Sequence, residues 1–254
     1  MNGTITLESI TKKFGNQDII NNLSMTIPGG SFTCLFGKSG QGKSVLLKII
    51  IGLLEPSSGS VSIDGKEAPK VGTVNHDGVS IGYVFQFAAL LDSLTICENI
   101  TITCDQLLSP EAKRHIAHQA LIDVGLHESA LDKYPSELSG GMKKRVGIAR
   151  TLVQRPRIIL YDEPTTGLDP LTTKQIHEVM KNVQVKHGVT TVVVSHDMGI
   201  IPFSDYIGIL ENGTCNFFAP TQQALAIKHP FLESFLEAGY PSKSPDFYSE
   251  SFLT

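Results

Sequence analysis

Gly37-Lys38-Ser39-Gly40-Gln41-Gly42-Lys43-Ser44 is the stretch on which the fold turns. Before it, Phe32-Thr33-Cys34-Leu35-Phe36 reads as a strand ending on glycine. After it, residues 43–54 read as a helix stopped by Glu55-Pro56-Ser57-Ser58-Gly59. A strand, a loop of the form G-x-x-x-x-G-K-[ST] and a helix, in that order, make a phosphate cradle. The glycines let backbone N–H groups close around phosphate oxygens, and the helix N-terminus adds partial positive charge. Lys43 brings a point charge to the β and γ phosphates, and Ser44 brings a hydroxyl to Mg²⁺. Without the flanking strand and helix, the same letters would be a glycine turn with a solvated lysine.

Working outward, Leu23, Met25 and Ile27 alternate with Ser24 and Thr26 ahead of a Pro28-Gly29-Gly30 turn, and Val61 and Ile63 precede Asp64-Gly65 as a hairpin arm. Ile81, Tyr83 and Phe85 alternate as another strand. From about residue 87 to 155 the period turns helical. Ser109, Pro110 and Glu111 open one helix, with Ala112, Ile116, Ala120 and Val124 on its apolar face and Gly125 as its stop. A second follows Ser139, with Met142, Val146, Ala149 and Val153 inward. Strand and helix then alternate again. Residues 158–161 are a buried strand, and Asp169-Pro170 caps a helix with Ile176, Val179, Met180 and Val183 inside. Residues 190–195 are a continuous apolar strand of the parallel type, and residues 206–218 form a hairpin about Asn212-Gly213. This order predicts an α/β fold: a P-loop (RecA-like), mostly parallel sheet core with an N-terminal antiparallel β subdomain and an inserted α-helical subdomain at about residues 88–155. One domain is expected over residues 1–240, with a polar, proline-marked tail at 241–254.

Composition sets outer bounds. A chain of 254 residues allows one large domain or two small ones, at roughly 150 residues per domain. Hydrophobic residues at 41%, charged residues at 18% and a mean hydropathy of +0.05 are a globular balance, with enough apolar matter for a core without staples. A net charge of −4 argues against a chain whose main work is coating nucleic acid. Cys34, Cys97, Cys104 and Cys215 are scattered, with no CxxC unit, as suits free thiols in a reducing compartment. The N-terminus shows no leader, and the longest oily stretch, residues 49–54, is far short of the roughly 20 residues that span a bilayer. These features predict a cytoplasmic, soluble chain whose membrane role is borrowed from a partner.

Leu160-Tyr161-Asp162-Glu163 runs a strand into two acids. Strand ends often carry solvated carboxylates. In a chain with a P-loop, however, Asp162 is placed to reach the Mg²⁺ shell, and Glu163 to orient or deprotonate the attacking water. Leu138-Ser139-Gly140-Gly141-Met142 opens the second insert helix. Ser139 is a good N-cap and the glycines leave N–H groups bare, so the turn is either a plain cap or a second anion site facing a nucleotide held by another copy. His196 follows Val192-Val193-Val194-Ser195 and precedes Asp197, at a strand end where it can meet a γ-phosphate. Lys143-Lys144-Arg145 reads as a solvated helix face.

Together these residues resemble the ABC (ATP-binding cassette) ATPase family over nearly the whole chain. Leu138-Ser139-Gly140-Gly141 is similar to its signature, Gln86 to its glutamine-loop residue, and Thr166-Gly167-Leu168-Asp169 to its aspartate loop, with Asp169 at a dimer seam. His196 looks like its switch histidine. Phe14, in Lys12-Lys13-Phe14-Gly15, stands where the family has an adenine-stacking aromatic, usually Tyr. The resemblance implies ATP and Mg²⁺. ATP would lie on Phe14, Gly37, Lys38, Ser39, Gly40, Gln41, Gly42, Lys43, Ser44 and Val45, and Mg²⁺ on Ser44, Gln86 and Asp162. Catalysis would fall to Lys43, Gln86, Glu163 and His196, while Leu138, Ser139, Gly140 and Gly141 serve the partner copy's nucleotide.

Met142 departs from the Gln that most of the family carries after the signature glycines. Residues 136–145 and 162–170, with Pro230-Phe231-Leu232-Glu233-Ser234-Phe235-Leu236, are similar to the Mla/Mce-associated branch, whose ATPases power phospholipid trafficking between the membranes of diderm bacteria. That likeness implies a homodimer on the cytoplasmic face of the inner membrane, with integral membrane permease subunits, an MCE-domain lipid-binding protein and no nucleic acid as partner. The ATPase of a polar amino-acid or other small-solute importer shares every catalytic element. A soluble mechanical ATPase of DNA repair or translation is the rival from another class. Repair members insert long coiled coils between P-loop and signature, whereas residues 44–138 hold no sustained heptads. Translation members usually carry two cassettes in one chain. The oily end, from Ala224 and Leu225 to Phe247, Tyr248 and Phe252, packs on its own core or reaches a partner copy.

Overall fold

The computed structural model describes residues 3–68 and 80–227, together with Glu233. Strands are numbered in chain order. β1 (Ile5–Phe14), β2 (Gln17–Ile27), β4 (Ser58–Ile63) and β5 (Lys66–Glu67) make an antiparallel sheet in the order β2-β1-β4-β5. The second sheet has six strands in the order β10-β9-β3-β8-β7-β6. These are β3 (Phe32–Phe36), β6 (Ile81–Val84), β7 (Ile158–Asp162), β8 (Thr190–Ser195), β9 (Tyr206–Glu211) and β10 (Thr214–Pro220). β6, β7, β8, β3 and β9 run parallel, and only the closing hairpin partner β10 is antiparallel.

Both faces of the large sheet are covered, which explains why β3, β8 and the first four residues of β7 are buried throughout. Side chains of successive residues leave opposite faces. Phe32, Cys34, Phe36, Ile159, Tyr161 and Val193 therefore share one core with α4 (Gly140–Leu152) and α5 (Pro170–His187). Leu35, Ile158, Leu160, Val192 and Val194 share the other with α1 (Lys43–Ile50) and the antiparallel sheet. Between β6 and β7 the chain makes α2 (Ile96–Thr101), α3 (Pro110–Asp123) and α4. α2 starts on a full capping box, Thr95 with Glu98, and α3 on Ser109 with Pro110 behind it. α6 (Thr221–Ala226) follows β10 and buries Ala224.

Three local expectations need correction. α1 stops at Ile50 rather than near Leu54, because Gly52 takes a left-handed turn (φ 77°) and the Gly52 and Leu53 N–H groups fold back onto the Ile49 and Lys48 carbonyls. β6 ends at Val84, leaving Phe85 outside the sheet and 44% exposed. Lys143, Lys144 and Arg145 are not a solvated face: Lys144 is 7% exposed, and Arg145 donates to the Gly125 carbonyl and to Gln175 Oε1. Residues 230–232 and 234–254, which carry most of the expected oily end and the tail, lie outside the described residues.

Candidate active site

Strand register brings the site together. Phe36 on β3 lies opposite Ser195 on β8, and Asp162 on β7 lies opposite Val194. Gly37, Glu163 and His196 thus leave the sheet at one edge, the C-terminal edge where open α/β sheets bind ligands. Val84 on β6 pairs with Tyr161, so Gln86 follows at that edge too.

The loop of residues 37–44 starts where no side chain fits. A Cβ on Gly37 would lie 2.6 Å from the Leu210 carbonyl oxygen. Gly42 is left-handed at φ 85°, and a Cβ there would meet the Ile19 carbonyl at 2.9 Å. Gly42 is also the N-cap of α1 and offers no side-chain bond, so the first-turn N–H groups keep their donors for a ligand. Lys38, Ser39 and Gly40 are exposed, Gln41 accepts a bond from the Asn212 N–H, and Val45 packs on the core behind. Lys43 is only 6% exposed; its Nζ donates to the Gly37 carbonyl at 2.7 Å and the Lys38 carbonyl at 3.2 Å, with Glu163 Oε1 3.5 Å away. An unpartnered ammonium so buried would cost several kcal/mol, so the loop is shaped around this cation.

Asp162 accepts from Ser44 Oγ at 2.6 Å on one oxygen and from the Tyr83 hydroxyl at 2.8 Å on the other. Burial, helped by the Asp162 charge, pushes the Tyr83 phenol well above its usual pKa and keeps it a neutral donor. Glu163 is left-handed at φ 49°, a conformation costing a non-glycine residue on the order of 1 kcal/mol or more. Its N–H bonds the Val194 carbonyl at 3.0 Å, and its carboxylate meets His196 Nδ1 at 2.5 Å. Lys43, Ser44, Asp162, Glu163 and His196 therefore form one contiguous cluster.

A family model described as "ABC transporter" matches residues 20–166, which hold the phosphate loop, the signature turn and both strand-end acids. The chain belongs to the ABC transporter family. A carnitine transport ATP-binding protein of Listeria monocytogenes is 37% identical over 233 residues, 90% of this chain and 58% of that protein. A probable ribonucleotide transport ATP-binding protein of Mycobacterium tuberculosis is 35% identical over 93% of this chain and 67% of its own length. The cassette thus spans about three-fifths of the first of these relatives. A dimeric ATP-binding cassette in a post-hydrolysis state with ADP and Pi superposes with a TM-score of 0.74 at 33% identity, over 85% of this chain and 98% of that one. The Clostridium perfringens protein cbiO1, part of the ABC transporter complex cbiONQ, reaches a TM-score of 0.78 at 27% identity, over 95% of this chain and 97% of that one. Fold and family together make this chain an ABC cassette.

Other candidate residues of the cassette stand apart from the Lys43 cluster. Leu138 is buried, Ser139 Oγ accepts from the Met142 N–H at 3.3 Å, and Gly140 and Gly141 begin α4. A Cβ on Gly141 would lie 2.4 Å from Thr172 Cγ2, so the signature turn is pressed onto α5. Asp169 caps α5 through the Leu171 and Thr172 N–H groups, and the Thr172 hydroxyl on it holds its carboxyl below the usual range. Phe14 ends β1, is 49% exposed, and has Lys12 Nζ 5.2 Å from its ring centroid. Two residues of this region carry no motif letter. Tyr83 reaches Asp162 only because β6 runs beside β7. His177 on α5 is 1% exposed, with Nε2 3.5 Å from Asp197, the residue after His196.

His177 makes acid stability testable. Burial, opposed by Asp197, lowers its pKa below the ordinary value near 6.5. As pH falls below that value the unfolded chain gains a proton that the folded chain refuses, so stability drops from there toward the folded pKa. His177→Leu should melt with a smaller loss than the parent between neutral pH and mildly acid pH. Equal acid losses in the two proteins would remove His177 from the acid limb.

Proposed function

We propose that this cassette is the ATP-hydrolysing subunit of a membrane transporter, working as a homodimer beneath integral permease subunits on the cytoplasmic face of the inner membrane. The convergence of Lys43, Asp162, Glu163 and His196 on one sheet edge carries the hydrolytic reading. ATP places its phosphates in the loop of residues 37–44 and its adenine on Phe14. A hydroxyl, a carboxylate and an amide oxygen are a hard-oxygen set that fits Mg²⁺. Among the described residues no group of three or more His, Cys, Asp or Glu offers a competing metal site. Ser44, Asp162 and Gln86 would hold the ion, which when bound neutralises charge on the β and γ phosphates. Glu163 accepts the proton of the attacking water, oriented by His196 on one side and Lys43 on the other.

The dimer reading is supported by Ser139 and the bare glycines after it, which lie on α4 rather than among the Lys43 cluster, and by the dimeric likeness to the post-hydrolysis cassette. Permease docking is supported by the apolar surface around Gln86 and the insert, where Phe87 is 76% and Leu107 92% exposed. No helix among the described residues is long and apolar enough to cross a membrane. Phospholipid is the proposed cargo, supported by Met142 and its neighbours in residues 136–145, with an MCE-domain protein as a further partner. The likeness to carnitine and methionine ATP-binding proteins favours a small-solute importer as the second reading. Co-expression with the permease, reconstitution into liposomes and transfer of labelled phospholipid decide between them. ATP-dependent lipid transfer supports the first. Uptake of carnitine or methionine without lipid transfer replaces it with the second.

A further inference from the structure

One face of α4 closes on the segment that follows β6. Lys144 Nζ donates to the main-chain carbonyl of Gln86. Arg150 donates to the Ala89 carbonyl at 2.7 Å and the Ala88 carbonyl at 3.0 Å. Gly147 lies between them, where a Cβ would sit 3.5 Å from the Ala88 oxygen and 3.7 Å from its Cβ. Positions 144, 147 and 150 repeat every three residues, so they line one stripe of the helix. Two cations thus grip three carbonyls of a four-residue segment, and a Cβ at Gly147 would rest in ordinary contact with Ala88 between them. Ala89 is itself left-handed, at φ 48°, a strain on the order of 1 kcal/mol that the Arg150 bond helps hold.

Core stability alone does not call for this arrangement. An apolar side chain of similar volume in place of a buried cation is often neutral or stabilising. A buried ammonium on a neutral carbonyl is a costly way to fill space, unless the place of that carbonyl matters. The helix that supplies both cations begins at Ser139, in the signature turn.

From this geometry we infer that Lys144, with Arg150, is a positioning residue for Gln86: it locks the glutamine-loop main chain to the signature helix, so that the Gln86 side chain and residues 139–141 move as one body. The inference rests on the reading of Gln86 as a group that meets the nucleotide's metal. A shift of Gln86 at one nucleotide then displaces the signature turn offered to the partner's nucleotide, with no further contact required.

A double-mutant cycle on ATP turnover tests it, with the full chain at saturating Mg²⁺ and ATP. Lys144→Met keeps length and volume and removes the donor. Gln86→Ala keeps the carbonyl and removes the side chain that the carbonyl positions. Each single variant is expected to lose roughly tenfold to a hundredfold in kcat, with little change in KM and, for Lys144→Met, an unchanged or raised melting temperature. The double variant should be no slower than Gln86→Ala, because Lys144 then has nothing left to position. If Lys144→Met costs the same factor in both backgrounds, it acts elsewhere and the inference is overturned. If Gln86→Ala turns over like the parent, the metal-side reading of Gln86 fails and takes the inference with it, a result distinguishable from the first by the single variant alone. Arg150→Met in the same cycle replaces Lys144→Met should that variant not fold, and an additive result there overturns the inference equally.

Discussion

Glu163→Gln should bind ATP and hold it, with turnover reduced by roughly 10²–10⁴-fold. The amide is the same size and still donates or accepts a hydrogen bond to water, but it cannot take the proton that water must lose. The geometry adds a second expectation. Glu163 lies 3.5 Å from Lys43, so its negative charge stands beside the place where phosphates must sit. Neutralising it leaves Lys43 on the Gly37 and Lys38 carbonyls and removes a repulsion, so nucleotide affinity should rise rather than fall. Gel filtration with ATP should then show a trapped dimer, and a phosphate-release assay should show almost no product. Turnover at the parent rate would take the base role from Glu163 and pass the question to His196, its partner at 2.5 Å.

A mixed dimer should prove that each nucleotide belongs to two chains. Ser139→Arg puts a long side chain where the α4 N-terminus would approach phosphate, while Lys43→Ala strips the phosphate loop of its cation. With Lys43→Ala in one copy and Ser139→Arg in the other, shared sites put both lesions on one nucleotide and leave the other whole. Sites made by single chains would leave none whole. Each homodimeric variant should be dead, and the mixed dimer should trap nucleotide at one site only. No trapping at either site would remove the support for a shared arrangement. Ser139 is the more informative position, because its hydroxyl caps α4 and contacts no member of the Lys43 cluster. Its loss as Ser139→Ala should cost stability on the scale of an N-cap, about 1 kcal/mol, so a far larger effect of Ser139→Arg on turnover must come from the partner's nucleotide.

Much of this was legible in one dimension because it depends on neighbours in the chain. The phosphate loop needs a strand, positive-φ glycines and a helix start in succession, and residues 32–50 supply them within one local stretch. The caps at Ser109, Ser139 and Asp169 are equally local, since each side chain bonds an N–H two or three residues on. The period-2 and helical patterns located most strands and helices of the large sheet, while the short extent of α1 and β6 depended on where the backbone could turn back on itself.

What no pattern carried was which distant residues would meet. Tyr83 has no motif letter, yet the parallel register of β6 with β7 puts its hydroxyl on Asp162. Lys144 reads as one of three solvated cations in sequence; packing of α4 beneath β6 buries it and gives it the Gln86 carbonyl. His177 looks like an ordinary helix residue until α5 packs against the turn after His196. The sequence by itself determined the phosphate loop, the α/β order and the candidate acids, because helix caps, glycine turns and strand alternation are set by residues within a few positions of one another. Only the tertiary structure decided the second partners of those acids, the burial of the α4 cations and their grip on the Gln86 to Ala89 carbonyls, because each depends on sheet register and helix packing between segments distant in the chain, 79 positions for Tyr83 and Asp162 and 58 for Lys144 and Gln86, and no local energy encodes that distance.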